Sequence, residues 1–418
     1  MSLYHLLSVL IAVVAIAGYA NYKLVRLPDT IGVTAVSLLL SLGLIAANAF
    51  DPAVGRLAQG LTERLNFSEL IFHGVLGLLL FAGSLHLDLG ALARERVPLL
   101  LLSTIGVVIS TLLVGVGFYY GVQLLGAHVD LMECMLFGAL VSPTDPIAAL
   151  AMLSKARVPK SLLTLITGEA LFNDGTGVVI FLVLLAVATG AQPAAPLDVA
   201  LLLARQVLGG IVFGLFVGYA GFLLLRSIDS YQLEMLITLA MATAGYAAAE
   251  AAGVSAPIAV VIMGMVVGNP VRHRAMSEHT RERLFPFWGL TDDLLNLFVF
   301  ALIGLELVAL APSVPAYIGP ALISIPIVLL ARFVSVAAPI AVLRAVRGFE
   351  ADCVKLMTWA GLRGALSVAL ALSLPPQIPA RGLLVTAAYA VAVFSILVQA
   401  TTVEPLARYW TRRSQHSH

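Results

Sequence analysis

The chain has 418 residues, 60% of them hydrophobic and 11% charged, with a formal net charge of +1. A water-soluble globular protein carries about 25% charged residues, so this composition excludes one, and the near-zero net charge argues against nucleic-acid binding. The two cysteines, Cys134 and Cys353, exclude a disulfide framework and any cysteine-based zinc or iron–sulfur centre.

A spanning helix needs about 20 apolar residues, so the length allows about thirteen spans and leaves little room for a soluble domain. Apolar windows bounded by Pro, Gly and charge fall at 3–20, 31–50, 68–85, 98–125, 131–154, 161–189, 198–225, 232–251, 254–269, 289–310, 317–343, 352–374 and 382–404. The first has no Lys or Arg before it and reads as an uncleaved span. Segment 270–287, with Arg272, Arg274, Arg281 and Arg283, is too charged to span and is expected as a short amphipathic interfacial helix.

Positive charge predicts the orientation. Of 24 Lys and Arg, 18 lie in connections after odd-numbered spans, three (Arg56, Arg64, Arg381) after even ones, and three (Arg205, Arg332, Arg363) inside spans. Cytoplasmic connections are the basic ones, so the N-terminus is expected outside and the C-terminus inside. Cys134 then lies near the outer face and Cys353 near the inner one.

Span 5 is interrupted at Ser142-Pro143-Thr144-Asp145-Pro146 and span 12 at Gly361-Leu362-Arg363-Gly364. By parity the two run in opposite directions. Paired interrupted helices of opposite orientation predict an inverted-repeat transporter with its site at the bilayer midplane.

Ionisable side chains at bilayer depth are functional candidates, and Asp145, Glu169, Asp174 and Arg363 stand near span centres. Pro146 removes the hydrogen bond that the Ser142 carbonyl would accept, and Pro143 does the same to Ala139. Carbonyls freed in this way are hard oxygen ligands for a small cation. On span 6, Glu169 and Asn173 share a face, whereas Asp174 points about 140° away from Glu169 at 100° per residue. Glu169 is therefore expected to pair structurally with Arg363, braced by Asn173, leaving Asp174 as the exchangeable carboxylate. Arg332 and Glu306 lie closer to the interfaces and are expected to snorkel in structural roles. His73 and His86 read as packing or interfacial residues, and Ser255-Ala256-Pro257 as a helix start.

With Ser-Pro-Thr-Asp-Pro at 142–146, Gly-Glu-Ala-Leu-Phe-Asn-Asp-Gly at 168–175 and Gly-Leu-Arg-Gly-Ala at 361–365, the chain resembles the monovalent cation:proton antiporter-1 family, the NhaP-type sodium/proton antiporters. The resemblance implies a homodimer with a rigid dimerisation bundle and a mobile six-helix core containing both interrupted helices. Laid on this chain, it puts dimerisation helices 1–3 in residues 1–97, core helices 4–6 in 98–190 and a linker helix 7 in 191–230. Dimerisation helices 8–10 follow in 231–312, core helices 11–13 in 313–405 and a short cytoplasmic tail in 406–418.

By the same resemblance Asp174 is the cation- and proton-binding carboxylate, Thr144 and Asp145 are part of the monovalent-cation site, Glu169 and Asn173 are counted among the cation- and proton-binding residues, and Glu169 with Arg363 forms the buried pair. No cofactor is implied; Na+ and H+ are substrates. The family commonly has Ser where this chain has Ala170, which removes a hydroxyl from the expected coordination. The resulting expectation is a multi-pass antiporter of the cell (inner) membrane, exchanging Na+, or Li+, for H+ one for one and serving pH homeostasis. The alternatives are a K+/H+ antiporter using the same residues, a passive cation channel, and an intramembrane protease suggested by Asp174-Gly175-Thr176-Gly177. The absence of a Gly-x-Gly-Asp sequence argues against the last.

Overall fold

The computed structural model of the chain describes residues 3–48, 50–51, 67–153, 156, 158–190, 195–271, 276–347 and 351–415. Arg56, Arg64, Lys155, Arg157, Arg272 and Arg274, which entered the orientation argument, lie outside the described residues. Within the described residues all regular secondary structure is helical apart from one isolated bridge between Asp145 and Leu362. The helices are α1 (Leu3–Ala20), α2 (Asp29–Asn48), α3 (Leu70–Leu85), α4 (Arg96–Leu124), α5 (Leu131–Leu140), α6 (Pro146–Leu153), α7 (Lys160–Ala188) and α8 (Pro196–Arg226). They continue with α9 (Tyr231–Ala251), α10 (Ala256–Val266), α11 (Glu278–Leu310), α12 (Val314–Arg347), α13 (Ala351–Ala360), α14 (Ala365–Leu372) and α15 (Arg381–Trp410).

Helix underlies each of the thirteen expected windows. Among the described residues, eight helices (α1, α2, α4, α7, α8, α11, α12 and α15) are long and apolar enough to cross a membrane. The others are shorter, more polar or interrupted. Local chemistry sets several boundaries. Asp130 and Glu133 form a reciprocal capping box at the start of α5, Ser255 caps α10 through the amide of Ile258, and Pro196 sits at the start of α8, where its missing N–H costs nothing.

The chain divides into two compact units. The first comprises Met1–Ile71, Ile109–Val158 and Asn296–His418, the second Phe72–Val108 and Pro159–Leu295. Small residues bring helices close within each, as expected where backbone approach rather than hydrophobicity drives association. In the first unit, a Cβ on Gly138 of α5 would lie 2.2 Å from the Thr111 carbonyl of α4, and Ser41 of α2 donates to the Gly304 carbonyl of α11 at 2.8 Å. In the second, a Cβ on Gly264 of α10 would lie 2.0 Å from Ser84 Oγ of α3.

One expectation is corrected here. Residues 278–287 are not a separate interfacial helix but the first turns of α11, which runs unbroken to Leu310 through Pro286. Glu278, His279, Glu282 and Arg283 of these turns are exposed, whereas Thr280 and, just beyond, Trp288 are anchored inside the protein. The Thr280 hydroxyl donates to Glu234 Oε1 of α9 at 3.0 Å, and the fully buried Trp288 indole donates to Thr238 at 3.1 Å while packing on Phe81. Those bonds satisfy groups that, read from sequence, seemed to need water.

Candidate functional site

The two interruptions lie side by side in the first unit. Pro143 and Pro146 end α5 and start α6, leaving 141–145 non-helical, and Gly361 and Gly364 do the same between α13 and α14. The breaks pair antiparallel through one backbone bond, Asp145 N–H donating to the Leu362 carbonyl at 2.8 Å.

Both glycines of the second break sit under charged side chains. A Cβ on Gly364 would lie 2.3 Å from Asp145 Oδ2, and one on Gly361 would lie 2.4 Å from Arg332 Nε. Gly364 has an extended backbone, φ −112°, which any residue adopts, so space rather than conformation demands glycine there.

Charge is distributed over the buried helix ends at the two breaks in a consistent sense. Arg363 Nη1 donates to the Ser142 carbonyl and, at 2.9 Å, to the Pro143 carbonyl, just past the C-terminal end of α5. Arg332 Nη2 lies 3.4 Å from the Met357 carbonyl near the C-terminal end of α13. The Asp145 carboxylate lies against Gly364, the N-cap of α14. Cations thus face negative helix ends and an anion faces a positive one.

Two expectations change as a result. The carbonyl that Pro146 frees at Ser142 is not an open cation ligand, because the Arg363 guanidinium occupies it. Arg332 and Glu306 do not snorkel, being only 6% and 7% exposed, and Arg332 lies over Gly361 instead.

Two contributors, Ser110 and Thr111, were not singled out from the sequence. Ser110 and Thr111 of α4 lie 3.1 and 3.2 Å from Ser142 Oγ, whose proton goes to the Gly138 carbonyl at 2.7 Å. Their signal was a polar pair near the middle of a predominantly apolar window. Arg332 was seen, but its place over Gly361 was not. Thr144, next to Asp145, is buried.

The remaining candidates lie on α7 in the second unit. Glu169 and Asn173 are both 1% exposed, and Asn173 Nδ2 donates to Glu169 Oε1 at 3.2 Å, one helical turn away. Asp174 is half-buried on a different face. The glycines of this motif pack α7 closely: a Cβ on Gly168 would meet Leu92 at 2.7 Å, and one on Gly175 would meet Ile258 of α10 at 2.9 Å. Ala170, between the two acidic positions, is buried and offers no hydroxyl.

Residues 9–409 match the family described as sodium/hydrogen exchanger, transmembrane. The chain is 43% identical over 408 residues to the Na(+)/H(+) antiporter NhaP of Pseudomonas aeruginosa, covering 96% of each protein. It is 31% identical over 407 residues to the Na(+)/H(+) antiporter NhaH of Halobacillus dabanensis, covering 96% of this chain and 95% of the relative. Its fold resembles the structure of the sodium proton antiporter MjNhaP1 from Methanocaldococcus jannaschii at pH 8, with a TM-score of 0.74 at 19% identity, covering 97% and 99% of the two chains. The chain therefore belongs to the sodium/hydrogen exchanger family of multi-pass membrane transporters.

Proposed function

We propose that the protein is a secondary antiporter that exchanges sodium for protons, one for one, by alternating access, with Asp174 of α7 as the exchanging carboxylate. The observation that carries this reading is the pairing of the two breaks through Asp145 and Leu362, with Asp145, Thr144 and Arg363 gathered around it. Broken helices of this kind present half-helix ends and oxygen atoms where a continuous helix presents none. Family membership and the names of the relatives support sodium as the cation.

In this scheme Asp174 holds either a proton or a sodium ion, and Asp145 and Thr144 add oxygen ligands. Glu169 and Arg363 form a structural pair, with Asn173 bracing Glu169 through the bond at 3.2 Å. Arg363 then has two tasks, neutralising Glu169 and covering the carbonyls of Ser142 and Pro143. The dipole of α14 compensates the Asp145 carboxylate. With one exchangeable carboxylate the site is neutralised equally by a proton or by a monovalent cation, and each half-cycle crosses the membrane with the same net charge.

We further propose thirteen spans in the inner membrane, N-terminus outside and C-terminus cytoplasmic, arranged as an inverted repeat and assembled as a homodimer. Core helices come from 98–190 and 313–405, dimerisation helices from 1–97 and 231–312, with 191–230 as linker and 406–418 as tail. Ala170 favours a second reading, a K+/H+ antiporter, because a missing hydroxyl weakens the case for a tightly coordinated small cation. Cation-dependent proton flux in proteoliposomes, with sodium, lithium, potassium and calcium compared side by side, separates the two. Sodium-driven flux above the others supports the proposal, and potassium-driven flux above sodium overturns it.

A further inference from the structure

The second break frees backbone carbonyls at the end of α13, and one of them has a partner that the exchange mechanism does not use. In a continuous helix the Trp359 carbonyl would accept from the amide of Arg363, but α13 ends at Ala360 and residues 361–364 are not helical. Two neighbouring carbonyls are accounted for. Leu362 N–H donates to the Ala360 carbonyl at 2.8 Å, and Arg332 Nη2 lies 3.4 Å from that of Met357. The Trp359 carbonyl is met by Gln399 of α15, whose Nε2 donates to it at 3.4 Å.

Gln399 is a buried amide, 2% exposed, on an apolar stretch of α15. Chemistry fixes its orientation. A carbonyl only accepts, so the amide nitrogen faces Trp359, and Oε1 is left for the buried Ser395 hydroxyl, which donates to it at 2.5 Å. Both partners sit on a π-helical turn, Ser395–Gln399, closed by the Ala400 N–H on the Ser395 carbonyl. Such turns are rare inside helices and frequently mark functional sites. Close by, Trp359 Nε1 donates to Thr402 Oγ1 at 2.9 Å, so α15 holds this residue by its backbone and by its indole. Leu362, three residues after Trp359, carries the carbonyl that accepts from Asp145 N–H at 2.8 Å.

We propose that Gln399 is a positioning residue for the exchange site. Its amide, oriented by Ser395, caps the end of α13 and so sets the place of the second break, including the Leu362 carbonyl on which the Asp145 backbone rests. A buried carbonyl left without a donor is costly, which gives the cap its hold. The two breaks are thus covered differently. A guanidinium, that of Arg363, covers the carbonyls of the first, whereas a neutral amide covers Trp359 at the second and adds no charge there. The inference rests on the reading of Asp145 as a cation ligand.

Hydrogen–deuterium exchange on the full-length protein in lipid nanodiscs, read as the protection factor of a peptide containing Asp145, tests this far from Gln399 in sequence and independently of transport. Gln399→Met keeps the bulk and removes both amide bonds. Protection at Asp145 is expected to fall about fivefold, the equivalent of one neutral hydrogen bond, with α2 unchanged. Ser395→Ala is expected to give a smaller loss at the same peptide, and no further loss when added to Gln399→Met, because Ser395 acts only through the amide. Full protection at Asp145 in Gln399→Met, an equal loss in α2, or additive losses in the double variant overturns the proposal. In transport, Gln399→Met should raise the KM for sodium about fivefold with maximal flux within about twofold of wild type. A lowered maximal flux with unchanged KM would mean that Gln399 acts elsewhere than on the site and overturns the positioning role. Protection lost at Asp145 while transport stays like wild type supports the positioning of the break and counts against Asp145 as a cation ligand instead.

Discussion

Replacing Gly364 with alanine probes the contact between the two breaks most locally. The new Cβ would lie 2.3 Å from Asp145 Oδ2, 2.7 Å from its Cβ and 2.9 Å from its Cγ. A flexible side-chain tip swings away cheaply, but here the whole side chain is in the way and its backbone is tied to Leu362 at 2.8 Å. Relief therefore needs either an off-rotamer Asp145 or separation of the breaks. Overpacking costs about 1–3 kcal/mol and loss of the backbone bond about another 1 kcal/mol, giving a destabilisation of about 2–4 kcal/mol. Gly43 of α2 is the matched control, because a Cβ there meets nothing within 4 Å and alanine in a helix interior is favoured by about 0.5–1 kcal/mol. Unfolding followed by scanning fluorimetry in one detergent should show opposite shifts, Gly364→Ala down and Gly43→Ala unchanged or up. Sodium-driven proton flux should fall at least tenfold in Gly364→Ala alone. If Gly364→Ala melts and transports like Gly43→Ala, the carboxylate does not lie against the second break and the site has been built wrongly.

Two further predictions concern α7. Asp174→Asn should insert and unfold like wild type yet lose sodium/proton exchange, because an amide can neither take up nor release the proton; near wild-type flux in the folded variant would reject Asp174 as the exchanging group. Glu169→Gln and Arg363→Met should each cost about 3–5 kcal/mol by stranding a buried charge, whereas the two together should cost less than the two losses added. Strict additivity in that cycle, measured by unfolding in detergent, would show that the two do not pair.

Much of the fold was legible because a bilayer imposes a coarse rule on sequence. Apolar windows located helix in all thirteen places, and Pro143, Pro146, Gly361 and Gly364 marked the two breaks, since these residues fail in helix interiors for covalent and steric reasons. What sequence hid was direction. Nothing in the order of residues says that Arg332 turns inward over Gly361, or that Glu306 is buried at 7% exposure rather than set at an interface. The first turns of α11 looked interfacial because four arginines cluster at 272–283, while the partners that bury Thr280 and Trp288 lie about 50 residues earlier on α9. The break at 142–146 was read as a set of open carbonyls for the same reason. The guanidinium that covers the Ser142 carbonyl comes from a residue 221 positions away.

The central claim is that one carboxylate serves both ions, so that a proton is exchanged for a cation with no net charge moved. Voltage acts on a moving elementary charge by about 2.3 kcal/mol per 100 mV, which makes membrane potential a direct probe. Reconstituted protein with the potential clamped by potassium and valinomycin, and the sodium gradient varied until net proton flux vanishes, gives the exchange ratio. The account predicts that flux vanishes when the sodium and proton gradients are equal, at every imposed potential. A null point that moves with the potential would mean that a second proton travels, with Asp145 its most direct carrier, and the single-carboxylate mechanism would be wrong.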